Sequence, residues 1–211
     1  MHKLTLEATL GALLHDIGKT VCRSGQGGSH ADRGGDLLPA SWQSPGIRDC
    51  VRFHHGADAE HCLPADHPAW LVSFANRLAA GSGGESREET GSTDVTRPLR
   101  SIFSHLNGEH PHLYLSPMPR EGKGDLPLHQ ETPVTAGEYA AIADKLRAGL
   151  SQIQPDESGV CAVLQLLEDC LGFVPGNLTQ EESDISLFDH SKITAALASC
   201  VSEYLLDRAE T

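Results

Sequence analysis

The chain has 211 residues, 39% of them hydrophobic and 5% aromatic, which suits one or two small packed domains and excludes a large multi-layer enzyme. Sixteen Lys and Arg face 29 Asp and Glu, a formal net charge of -13 that repels a polyanion, so any nucleic acid handled here needs metal ions or basic partners to attract it. No stretch approaches the roughly 20 consecutive apolar residues of a membrane span, and Met1-His2-Lys3-Leu4-Thr5-Leu6-Glu7 lacks the basic-then-apolar layout of a secretory signal; the expectation is a soluble, cytoplasmic protein with no membrane partner.

Leu6, Leu10, Leu13 and Leu14, with Ala8 and Ala12 between them, predict a helix from Leu4 to Leu14 that ends at His15-Asp16. Gly18 and Lys19 fit its last turn or exit. Ser24 to Ser29 reads as a Gly/Ser loop, followed by a short helix from His30 to Leu38 that Pro39 closes. Pro45 opens another helix with Ile47 and Val51 on one face and His54-His55 at its end. Asp66 is placed to cap the next helix, which has Pro68 near its start and Trp70, Leu71, Phe74, Ala75 and Leu78 as its buried set.

From Gly81 to Thr96 there is too little apolar surface to order the chain, and a mobile linker is expected. The Pro- and Gly-rich stretch on to Pro133 is expected to hold a short extended pair around Leu113 to Leu115. Thr135 and Glu138 form a capping box ahead of Tyr139, Ile142, Leu146 and Leu150. A helix over Gly159 to Leu171 buries Val160, Val163, Leu164 and Leu167. The last runs from about Ile185 to Leu206, with Ile193, Leu197, Val201 and Tyr204 on its apolar face. The pattern gives a mainly α fold in three stretches: core helices over 1–81, a linker and loop-rich segment over 82–134, and helices again over 135–211. The six cysteines include no Cys-x-x-Cys pair and read as reduced thiols, several of them facing the core.

Chemistry concentrates at three histidine stations, each at an element terminus: His15-Asp16, His30 and His54-His55. A His-Asp dipeptide alone is weak, since chance supplies roughly one in a chain of this composition. A single histidine is ordinarily a surface or hydrogen-bonded core residue. Several stations at helix ends are what a multi-ligand site on a helix bundle uses. Neutral imidazoles and a carboxylate hold a divalent transition metal such as Mn, Fe, Co, Ni or Zn, with Mn, Ni or Co expected here as one or two ions, and an open coordination position lowers the pKa of water enough for phosphodiester hydrolysis. Lys19 is a candidate phosphate contact, with a solvated helix-end lysine as the plain alternative. Trp70 and Phe74 read as core before base-stacking groups, and His61, His67, His105, His110, His112 and His129 as structural or incidental.

Leu13-Leu14-His15-Asp16-Ile17-Gly18-Lys19, His30-Ala31-Asp32-Arg33-Gly34, Phe53-His54-His55 and Phe74-Ala75-Asn76-Arg77-Leu78-Ala79-Ala80-Gly81 together resemble the N-terminal HD domain of the large subunit of type III-A CRISPR effector complexes. Pro98-Leu99-Arg100-Ser101-Ile102-Phe103, Glu138-Tyr139-Ala140-Ala141-Ile142, Phe173-Val174-Pro175 and Asp184-Ile185-Ser186-Leu187-Phe188-Asp189-His190-Ser191-Lys192 continue the resemblance in the same order, so it covers nearly the whole chain.

The resemblance implies an HD-like helical bundle whose motifs are circularly permuted, the last helix completing the fold and bringing His190 to the site. It implies a metal-dependent nuclease acting on single-stranded DNA, working with the other protein subunits of a guide-RNA complex. It also implies catalytic roles for His15, Asp16, Lys19, His54 and His55, and a ligand set of His15, Asp16, His30, His54, His55, Asn76 and His190. Asn76 departs from the family, which usually has Ala-Asp where this chain has Ala75-Asn76; an amide coordinates more weakly and brings no charge. The family's Gly-Gly-Asp-Asp motif is absent, Gly34-Gly35-Asp36-Leu37 being a chance partial match. An excised piece or a shortened subunit that makes no nucleotides is therefore expected. Two other readings remain: an interaction module that keeps the fold with little activity, and a phosphohydrolase of small nucleotides, for which no feature announces a closed base-binding pocket.

Overall fold

Helix α1, Lys3–Leu14, is apolar on nearly every side, and such a helix is stable only when surrounded by others. Ala8, Leu10, Ala12, Leu13 and Leu14 are completely or almost completely buried. The structure, a computed structural model, describes residues 1–56, 62–81, 93–106, 113–117, 131–178 and 183–209. After α1 come α2 (Gly18–Arg23), α3 (His30–Leu37), a 3-10 turn (Ala40–Trp42), α4 (Pro45–Arg52), α5 (Pro68–Ala79), β1 (Leu99–Arg100), α6 (Phe103–Leu106), β2 (Tyr114–Leu115), α7 (Ala136–Leu150), α8 (Gly159–Leu171) and α9 (Leu187–Ala209). The fold is mainly α, as expected.

α1 is clasped by α4, α5 and α9, with α5 packed on both α4 and α9; α2 lies between α3 and α7, and α8 packs on α7. Trp42, fully buried, donates from Nε1 to the carbonyl oxygens of Leu150 (2.9 Å) and Ile153 (3.2 Å), which ties the 3-10 turn to the end of α7. The start of α9 is seated by an antiparallel bridge between Pro175 and Ser186, with Leu187 N donating to Val174 O (2.7 Å) and Gly176 N to Ile185 O (2.9 Å). Arg23, buried, donates from Nη1 to Pro175 O (2.6 Å) and holds this bridge against α2.

Several expectations hold. The Thr135–Glu138 capping box is complete, with Tyr139, Ile142, Leu146 and Leu150 buried behind it, a cap worth about 1 kcal/mol. The extended pair exists, Tyr114–Leu115 pairing antiparallel with Leu99–Arg100. Residues 82–92, most of the expected mobile linker, lie outside the described residues.

Other expectations are corrected. Gly18 and Lys19 do not end a helix; they open α2, the chain tightening to i→i−3 hydrogen bonds through Asp16-Ile17 between the two helices. The cap of α5 is His67, whose Nδ1 accepts from Ala69 N (3.2 Å), rather than Asp66. On α5 the buried residues are Pro68, Ala69, Val72, Ser73, Ala75 and Asn76, while Phe74 and Leu78 are each 50% exposed, so neither Phe74 nor Leu78 is core. On α9 the buried residues are Leu187 and Phe188 at its start, then Ser191, Thr194, Ala195, Ala198 and Ser202, while Ile193 and Tyr204 face outward. Both corrections have one cause. Helices that clasp a central helix closely present mostly small residues to it, so residue size as well as hydrophobicity selects the inner face, with Leu71 and Leu197 packed at its margin.

Glycines set two of these approaches. A Cβ at Gly11 would strike the Cβ of Cys50 on α4, and one at Gly18 would strike His30 O and Gly34 N on α3. Gly11→Ala is expected to destabilise the fold by about 1–3 kcal/mol, several degrees in Tm, through overpacking. Gly18→Ala should cost at least as much, because backbone rather than a side chain has to move. Thermal denaturation checks this, and an unchanged Tm for Gly11→Ala would show that α1 and α4 are not in close contact.

Candidate metal centre

Every residue picked out from the sequence for the site converges on one place. His15 and Asp16 leave the end of α1, and His54 and His55 follow the end of α4. His30 is the first residue of α3, placed by the Ser29 cap, whose hydroxyl accepts from Ala31 N (3.2 Å). Lys19 comes from the first turn of α2, Asn76 from α5 and His190 from the first turn of α9. His15, Asp16, His30, His54 and Asn76 are all buried.

Two groups form that could each hold an ion: His30 with His54 and His55, and His15 with Asp16 and His190. In the first, His30 Nε2 lies 3.2 Å from His54 Nε2 and 3.0 Å from His55 Nε2. Asp16 joins the two. Its Oδ1 is 3.3 Å from His30 Nε2 and 3.7 Å from His54 Nε2. Its Oδ2 is 3.3 Å from His15 Nε2, 3.9 Å from His190 Nε2 and 2.7 Å from Lys19 Nζ. Ligands about 2.0–2.1 Å from one metal stand roughly 3.0–3.4 Å apart at tetrahedral or right angles, which is the spacing of the imidazole nitrogens here.

Proton accounting points the same way. His15 Nδ1 donates to Ala12 O and His54 Nδ1 to Val51 O, each at 2.7 Å. A carbonyl only accepts, so both rings carry their proton on Nδ1 and turn a bare Nε2 inward. His30 Nε2 has at most one proton to share between two facing nitrogens. Neutral rings therefore cannot satisfy this group among themselves, whereas a cation at its centre satisfies all three. His15 Nε2 and Asp16 Oδ1 are buried with no hydrogen-bond partner. The donor set fits a divalent transition metal.

Electrostatics keeps the donors in their ligating form. Burial pushes the Asp16 carboxyl up, but the Lys19 ammonium opposes this, and the group lies well below the usual carboxylate range. Burial holds His54 well below the ordinary imidazole value. Burial likewise takes His55 and His190 each down to about 4.

Lys19 is mostly buried and donates to Asp16 Oδ2 (2.7 Å) and Gly176 O (3.1 Å), so it is part of the centre and not a solvated helix end. Asn76 Oδ1 lies 2.9 Å from His190 Nε2. No residue pattern signals the Gly176 carbonyl as the second anchor of Lys19, because a backbone acceptor carries no residue signature. His67 stands apart, 3.9 Å from Asp49 Oδ2. His61, His110, His112 and His129, and the side chain of His105, lie outside the described residues.

No family model matches the chain. It is 33% identical over 222 residues to the CRISPR system single-strand-specific deoxyribonuclease Cas10/Csm1 (subtype III-A) of Enterococcus italicus, spanning 96% of this chain and 29% of that protein. The protein of the same description from Streptococcus thermophilus is 29% identical, spanning 99% of this chain and 29% of its own length. The crystal structure of Csm1 from Thermococcus onnurineus superposes with a TM-score of 0.68 at 25% identity, covering 94% of this chain and 28% of that chain. This chain thus spans less than a third of the relatives it matches. Another solved relative, the Csm1–Csm4 subcomplex of the type III-A CRISPR-Csm interference complex, has the same fold, with a TM-score of 0.67 at 24% identity.

The lowered imidazoles make stability pH-dependent with a fixed sign. The unfolded chain takes up protons near the ordinary value of 6.5, while folded His55 and His190 resist until about 4. Stability is therefore full above about pH 6.5 and falls as the pH drops toward 4. The Tm of the metal-free protein should decline across this window, and His190→Gln should flatten the decline. A Tm constant from pH 7 to pH 4 would contradict the buried, neutral state of these rings.

Proposed function

Over nearly its whole length the chain belongs to the Cas10/Csm1 family of subtype III-A CRISPR systems, and from that premise we propose that it is a metal-dependent nuclease domain that hydrolyses phosphodiester bonds in single-stranded DNA. The observation that carries this reading is the group of imidazole nitrogens around His30, which faces inward without enough protons to satisfy itself. The substrate follows from the relatives, which are described as single-strand-specific deoxyribonucleases. The HD core is assigned to residues 1–81, with α9 closing it.

A divalent transition-metal cation bound there, with Mn, Ni or Co as the candidates to be tested, would acidify a water and neutralise charge on a phosphate. The protein's own residues do the rest. His30, His54, His55 and Asp16 hold the cation. The Nδ1–H bonds to Ala12 O and Val51 O keep the His15 and His54 rings in one tautomer. The Lys19 ammonium, fixed between Asp16 and Gly176, adds positive charge beside the place where a phosphate would sit. That local charge matters because the chain as a whole, at -13, repels DNA. The remaining subunits of a guide-RNA complex are its proposed partners, since a solved relative is seen with Csm4.

A second reading, a docking module of little activity, is favoured by the exposed Phe74, Leu78, Ile193, Tyr204 and Leu205. One experiment separates the two: cleavage of labelled single- and double-stranded DNA in Mn, Ni, Co and Mg, with metal analysis of the purified protein. The nuclease reading expects cutting of the single strand in transition metals. It expects the double variant His15→Ala/Asp16→Ala to lose at least about a hundredfold in rate while its helical content, read by circular dichroism, stays nearly unchanged. Unaltered cleavage by that variant would dismiss the centre.

A further inference from the structure

The two halves of the centre differ in how far their donors are already engaged. Around His30 three imidazole nitrogens face one another, and the fourth donor, Asp16 Oδ1, is buried without a hydrogen bond. In the half formed by His15, Asp16 Oδ2 and His190 the situation is different. Lys19 Nζ sits on Asp16 Oδ2 at 2.7 Å and is anchored behind by Gly176 O at 3.1 Å. His190 Nε2 is 2.9 Å from the Asn76 amide. Whichever way that amide is turned, the contact uses the nitrogen, as donor to Oδ1 or as acceptor from Nδ2. Only His15 Nε2 is left there as a bare donor.

Resting on the metal-centre reading above, we propose that this chain takes a single divalent cation, held by His30, His54, His55 and Asp16 Oδ1, and that the Lys19 ammonium and the Asn76 amide occupy the half that would otherwise receive a second. The charge balance agrees. A second dication would set two dications and an ammonium around one buried carboxylate, where repulsion is weakly screened. An aspartate at position 76 would offset part of that charge, and an asparagine offsets none. Asn76 also brings a hydrogen bond to His190 that needs no metal, so this half is satisfied by the protein alone. Lys19 is thereby a positioning residue: it fixes Asp16 so that Oδ1 points at the His30 group.

Titrating the metal-stripped protein with Mn(II), followed by calorimetry and by EPR of the bound ion, tests this. The unaltered chain should bind one equivalent and give the spectrum of an isolated ion. His54→Gln should weaken binding by more than about a hundredfold, past the cost of losing an outer partner, and His190→Gln by less than about tenfold. Lys19→Met combined with Asn76→Asp should take two equivalents and show the broadened spectrum of a coupled pair, a gain that unfolding cannot imitate. Two equivalents in the unaltered chain would overturn the proposal, as would release of the ion by His190→Gln with retention by His54→Gln. A double variant that stays at one equivalent would overturn the role given to Lys19 and Asn76. Binding of no metal would remove both this inference and the nuclease reading. One equivalent without DNA cleavage would remove the nuclease reading alone.

Discussion

The centre depends on one repeated interaction, an imidazole that ties itself to a carbonyl in the final turn of the helix it follows. The last carbonyls of a helix have no partner within it. His15 fills that need at Ala12 and His54 at Val51. The same bond that finishes each helix also fixes the tautomer of its ring and points Nε2 inward. Helix termination and ligand orientation are therefore one event, and the rigidity of α1 and α4 passes directly to the donor atoms.

α1 makes this possible because it is buried on nearly all sides. A helix end that reaches the interior delivers Asp16 into surroundings where an isolated carboxylate would be driven to protonate. The carboxylate survives because Lys19, one helical turn further along, lies against it, with His15 beside it. Lys19 is in turn held by Gly176, in the segment whose bridge to Ser186 starts α9. The chain from Asp16 through Lys19 and Gly176 to α9 links the first helix to the last, and α9 returns His190 to Asp16.

Against a formal charge of -13, Lys19 sets one ammonium directly against the buried Asp16 carboxylate. On the function proposed above, encounter with DNA would depend on a bound cation and on partners. On the same reading, residue 76 is a place where the chemistry would be tuned without altering the fold. An asparagine and an aspartate have nearly the same shape and differ by one charge, so exchanging them would change what the pocket attracts while leaving the packing of α5 on α9 unaltered.

Helix positions, the capping box at Thr135 and the histidine stations were legible because helical periodicity and terminus chemistry are local properties written in neighbouring residues. The inner faces of α5 and α9 were not. Trp70, Phe74, Ile193 and Tyr204 look like core by hydrophobicity, yet close packing around α1 chose alanine, serine and threonine instead. By itself the sequence determined which residue types were available to bind a cation and that they stand at helix ends. Only the tertiary structure decided that Asp16 faces two groups at once, that Lys19 and Asn76 hydrogen-bond within one of them, and that a backbone carbonyl 157 residues from Lys19 holds it there. Those are contacts between segments far apart in the chain, fixed by how whole helices pack, and no local pattern encodes them.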